Sequence, residues 1–177
     1  MPSGRTHDAI TFLLAFPAAA TAYSVTNSFY TAVIVGGSFV FGGLMFGPDL
    51  DTASRQYSRW SFIRFLWYPY RSFFKHRSRF SHGLVFGALL RVVYFMGIIT
   101  LVVVAATFVW SVIGGTSPVG TGSLIDAWKG LGAFVRLNLG ENFLLLTFLG
   151  LWLGAASHTF TDMAGTFIKT GRAEKFF

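Results

Sequence analysis

Long stretches without charge, broken by short polar punctuation, organise this chain. No Asp, Glu, Lys or Arg occurs from Ala9 to Pro48 or from Val92 to Ile125. Apolar runs well beyond ~18 residues read as membrane spans rather than core helices. The punctuation separates four of them, at about residues 9–26, 29–47, 82–113 and 142–162. Ser24-Val25-Thr26-Asn27-Ser28 predicts a tight turn between the first two, and Gly47-Pro48 ends the second. Arg5 and Ala18-Ala19-Ala20-Thr21-Ala22 give the first run the outline of a signal peptide; it reads here as a retained span that contains Pro17. Residues 124–140 are amphipathic. The expected fold is all-α: a single integral membrane domain over 1–177 with four transmembrane helices. An interfacial basic and aromatic segment joins helices 2 and 3.

Composition sharpens this picture. The chain is 53% hydrophobic and 12% charged, against about 25% charged in a soluble domain. Without cysteine there is no disulfide scaffold, thiolate zinc site, iron–sulfur cluster or cysteine nucleophile. Net charge is +7, but seven of the fourteen Lys/Arg crowd into residues 55–79, interleaved with Tyr57, Trp60, Trp67, Tyr68 and Tyr70. Rings and cations in that mixture suit the headgroup layer, so anionic membrane lipid is the expected partner and nucleic acid is not. Positive charge stays in the cytoplasm, which places both termini and the basic loop there and residues 114–141 opposite.

Chemistry collects at one end of this topology. The four histidines, His7, His76, His82 and His158, all fall near span ends that the topology puts at the cytoplasmic side. Asp49 and Asp51 end the second span there. Asp162 follows His158 by four residues, on the same helix face. Asp8 joins the cluster, with Thr6 as a candidate cap for the first helix. Neutral imidazole with carboxylate suits a divalent cation, zinc first and Mn, Fe or Ni as alternatives. The ligand set His7, Asp49, Asp51, His76, His82, His158 and Asp162 suffices for one ion or for two, with Asp51 bridging and holding an activated water. Arg77 and Arg79 read equally as clamps for a phosphate and as positive-inside anchors. Arg91 is expected to snorkel to the headgroups. The pairs Gly36-Gly37 and Gly42-Gly43 predict close helix packing.

The motifs Gly47-Pro48-Asp49-Leu50-Asp51, His76-Arg77 with Ser81-His82-Gly83, and His158 with Asp162, in order after His7, resemble the YdjM-like membrane-bound, metal-dependent hydrolase family. They are closer still to an uncharacterised group of bacterial, largely cyanobacterial, membrane proteins known as predicted metal-binding proteins. The resemblance spans His7 to Asp162 and nominates the same seven ligands. It implies a helical site distantly similar to that of zinc-dependent phospholipase C, in a bacterial inner or thylakoid membrane. One departure stands out: the usual His-Arg-x-x-Thr-His is a residue longer here, so His76 and His82 need not serve one ion.

The expected function is hydrolysis of a phosphoester by metal-activated water, with Asp51 and Arg77 as its catalytic residues. The alternative is a non-enzymatic metal-binding membrane protein with a structural, sensing or complex-assembly role, which leaves room for an oligomeric or complex partner. A metal transporter fits poorly, because spans one and two carry no charge at mid-membrane.

Overall fold

The computed structural model describes residues 3–74, 78, 83, 86–114 and 120–171, and among them there are helices and no strand. In chain order these are α1 (Gly4–Thr26), α2 (Phe29–Met45), a 3-10 turn at Pro48–Asp51, α3 (Arg55–Arg59), a 3-10 segment at Ser61–Trp67, α4 (Tyr68–Phe73), α5 (Phe86–Gly114), α6 (Thr121–Leu139) and α7 (Phe143–Thr170). Four of the helices, α1, α2, α5 and α7, are long and apolar enough to cross a membrane. The described parts of Met1–Val92 and Leu145–Phe177 form one compact unit, and Val93–Leu144 forms a second.

In the first unit, α1 and α2 make a hairpin at the predicted turn. Asn27 adopts the left-handed conformation (φ 50°) that ends α1 and bonds its N–H to the Tyr23 carbonyl, a conformation Asn tolerates better than most residues. Ser28 then caps α2 by accepting from the Thr31 N–H. At the other end of α1 the cap is Ser3, whose Oγ accepts from the Thr6 N–H at 3.3 Å. Thr6 therefore lies inside the first turn, and the expectation that it would cap is corrected.

Helix α7 packs against α2 backbone to backbone. A Cβ on Gly154 would overlap the Phe39 carbonyl oxygen, one on Gly42 the Leu151 carbonyl oxygen, and one on Gly150 would lie 2.6 Å from Ser38 Cβ. Small residues one turn apart permit that approach where lipid supplies no hydrophobic drive between helices. Gly43 admits Thr11 of α1 in the same way, whereas Gly37 meets nothing within 4 Å. A Cβ on Gly36 would lie 3.0 Å from Ala19 Cβ of α1, so three of the four glycines in the predicted pairs serve close contacts of α2 with α1 or α7.

The last carbonyls of a helix have no partner within it, and in α2 the basic segment supplies them. Gln56 donates to the Gly43 carbonyl at 2.6 Å, Arg59 to Leu44 at 2.8 Å and Trp60 to Met45 at 2.9 Å. Beneath this cap Phe46, Trp60, Trp67 and Tyr70 pack ring against ring at 5.3–6.4 Å. Phe62, Phe65, Tyr68 and Phe73 are exposed on the outside. Half of the aromatic segment is therefore core, and the other half keeps the outward-facing rings that a headgroup layer accommodates.

In the second unit, α6 lies along α5. Leu124, Trp128 and Leu131, one turn apart, line an apolar cavity with Ile99 and Val103, and Trp128 donates to the Thr100 hydroxyl at 3.1 Å. Gly140, at φ 91°, ends α6.

Candidate metal centre

Three elements of the first unit bring imidazole and carboxylate groups together. His7 comes from the first turns of α1, Asp49 from the 3-10 turn, and His158 and Asp162 from one face of α7. His7 is 5% exposed, His158 3% and Asp162 0%. His7 Nε2 lies 3.3 Å from Asp162 Oδ1, His158 Nε2 3.3 Å from Asp49 Oδ2, and His158 Nε2 3.8 Å from Asp162 Oδ2. Yet His158 Nε2 and both Asp162 oxygens, all buried, have no hydrogen-bond partner among the described residues.

That combination is unfavourable without a cation. A buried carboxylate with no compensating charge costs several kcal/mol, so it is neutralised, paired with a cation or bound to a metal. Donors about 2.0–2.2 Å from a tetrahedral ion stand about 3.3–3.6 Å apart, close to the separations seen. One donor atom each from His7, His158 and Asp162 fall within 4.8 Å of one another. The donor set and its spacing fit a divalent cation held by N and O ligands.

Gln56 supports the centre from behind. Its Oε1 accepts from the Asp49 N–H at 3.2 Å, and its Nε2 lies 3.2 Å from His158 Nδ1 while donating to Gly43. With the amide so turned, Nδ1 accepts and the ring proton sits on Nε2, between the two carboxylates; a cation at Nε2 takes that proton's place. A cavity of about 30 Å³ adjoins His7, Asp49 and His158, with Arg55 and Arg59 in its wall. Both arginines bond Asp8 Oδ2, at 3.1 Å and 2.6 Å. Asp8 is thereby committed to the rim rather than to the centre.

Asp51 is buried in the same turn as Asp49. Arg91, 2% exposed, lies within the fold near the Tyr70 hydroxyl and in the field of Asp51 and Asp49. The expected snorkelling of Arg91 is therefore corrected: its side chain is buried within the fold, in the field of two carboxylates, so it has no need to reach the headgroups. Burial pushes the Tyr70 hydroxyl above its ordinary pKa, with Arg91 pulling in the opposite direction. His76, His82, Arg77 and Arg79 lie outside the described residues.

Gln56, Arg55, Arg59 and Tyr70 went unnoticed as site residues in the sequence. Gln56 is the chain's single glutamine, and an uncharged polar side chain amid arginines and aromatics was the available signal.

One of the comparisons with other proteins, the family match, agrees with this chemistry. An uncharacterized protein of Aquifex aeolicus (strain VF5) is 35% identical over 60 residues, 33% of this chain and 42% of that relative. The matched stretch thus spans less than half the length of the relative. No solved structure matches. The family described as uncharacterized metal-binding protein (DUF2227) matches residues 2–172. With buried, unpartnered His and Asp donors at ligand spacing and nearly its whole length matched, the chain belongs to this family of metal-binding proteins.

Proposed function

We propose that the protein is a membrane-bound hydrolase that uses a divalent ion at His7, Asp49, His158 and Asp162 to cleave a phosphoester. The observation that carries this reading is the cavity. Structural metal sites are closed by protein ligands, whereas catalytic ones keep a position for water, and here about 30 Å³ of space adjoins the donors. A bound divalent ion, zinc first by donor type, supplies a Lewis acid and brings the pKa of its water near 7.

The chain's own groups account for the rest. Asp49 and Asp162 balance the cation, and Gln56 fixes the His158 ring. Arg55, whose side chain is 54% exposed, presents guanidinium N–H groups to an arriving phosphate, a role for which Arg77 is also proposed. An apolar groove of about 690 Å³ between α1, α2 and α7 reaches Ala156 and Ser157, next to His158. It offers space for an acyl chain and favours a lipid-borne phosphoester. The resemblance to the YdjM-like hydrolases agrees with this chemistry. Positive-inside charge bias puts the centre on the cytoplasmic side: reporters after Phe177 and near Thr116 should read opposite sides, the first cytoplasmic.

Burial of the three donors favours a second reading, a non-enzymatic metal-binding protein in which the ion ties α1 to α7. Metal-loaded protein assayed on phospholipid vesicles, nucleotides and soluble phosphodiesters separates the two. Hydrolysis by the wild type that Asp162→Asn abolishes supports the enzyme. Full metal occupancy with no turnover on any of them supports the second reading.

A further inference from the structure

The His7 and His158 rings stack face to face, centroids 3.8 Å apart and planes 9° from parallel. A metal on an imidazole nitrogen lies in the plane of that ring, along the lone pair. Two nearly parallel planes at this spacing meet only far outside the site, so one ion can lie in both only if a ring turns out of this stack. Each ring therefore addresses its own position. Asp162 divides in the same way: Oδ1 faces His7 Nε2 at 3.3 Å and Oδ2 faces His158 Nε2 at 3.8 Å.

We propose that the centre takes two divalent ions side by side, with Asp162 as the carboxylate that bridges them. His7 and Asp162 Oδ1 hold the first; His158, Asp49 and Asp162 Oδ2 hold the second. The inference rests on the metal-binding reading of these residues. Two further observations agree with it. Both Asp162 oxygens are buried and lack hydrogen-bond partners among the described residues, so both remain available. Ions in two-metal sites stand about 3.5–4 Å apart, the spacing of the two rings. In this arrangement the bridge is Asp162, whose two oxygens face the two rings.

The test counts ions and asks whether they communicate. Detergent-purified full-length protein is loaded with Zn(II) for elemental analysis and with Mn(II) for electron paramagnetic resonance. The wild type should hold two ions per chain, and the Mn(II) form should show an exchange-coupled pair instead of the six-line spectrum of isolated ions. His7→Ala should keep one ion with the isolated-ion spectrum; where it does not fold by circular dichroism, His7→Gln serves. One ion per wild-type chain overturns the pair and leaves a single metal centre standing. Two uncoupled ions overturn the Asp162 bridge. No bound ion overturns this inference and the metal reading together.

Discussion

Asp49 and Asp51 sit two residues apart in one 3-10 turn and differ in exposure. Asp49 Oδ2 is 3.3 Å from His158 Nε2 with its side chain 20% exposed, whereas Asp51 is buried and is the stronger influence on Arg91. Three residues complete a 3-10 turn, so positions two apart project about 120° away from each other. In an extended chain the same pair would share a side. The turn thus aims the two carboxylates of one motif in different directions, with Asp49 at the centre and Asp51 in the field of a buried arginine.

Arg91→Ala should therefore destabilise the fold and spare the metal. Removing one partner of a buried ion pair costs about 3–5 kcal/mol, because the other charge stays buried and uncompensated. Denaturant unfolding in detergent, with metal analysis of the folded fraction, measures both. Asp51→Asn should behave likewise. If Asp51→Asn instead empties the centre while Arg91→Ala leaves stability unchanged, Asp51 is a ligand after all.

Gln56→Ala should weaken metal binding without removing a ligand. Outer partners that orient a ligating histidine are worth about 10–100-fold in affinity, and Gln56 touches both His158 and the Asp49 backbone. Competition against a chelator of known affinity reads the change. An affinity equal to wild type would show that His158 keeps its orientation without the amide.

Tyr70 makes alkaline stability testable. Burial raises its pKa in the folded protein, while the unfolded chain keeps the ordinary value near 10. The folded state therefore holds the proton longer. Stability is complete below roughly pH 10 and falls as pH rises through the folded value. Tyr70→Phe removes that decline, so the two Tm curves should diverge above about pH 10. Parallel curves would contradict a buried, proton-retaining Tyr70.

Much of the architecture was legible because hydropathy and polar punctuation are local. The four apolar helices appear where the charge-free runs lie, with α1 beginning at Gly4 and α7 reaching Thr170. His158 and Asp162 follow from helical spacing, and their meeting with His7 follows from placing helix ends on one side. Gln56 and Arg91 were harder. Gln56 matters because the basic segment folds back onto the end of α2, and Arg91 because that same fold carries Tyr70 to it. Both depend on a tertiary return of the chain that periodicity does not encode.

The central claim is that His7, His158 and Asp162 form a metal centre, and metal content tests it most directly. Wild-type protein and the triple variant His7→Ala, His158→Ala, Asp162→Ala are purified in parallel from metal-supplemented cells and analysed by elemental mass spectrometry. Helix content by circular dichroism confirms that both are folded. The wild type should carry a divalent metal through purification and dialysis, and the triple variant should carry none. Equal metal in both, or none in either after loading with Zn(II) and Mn(II), would contradict the account.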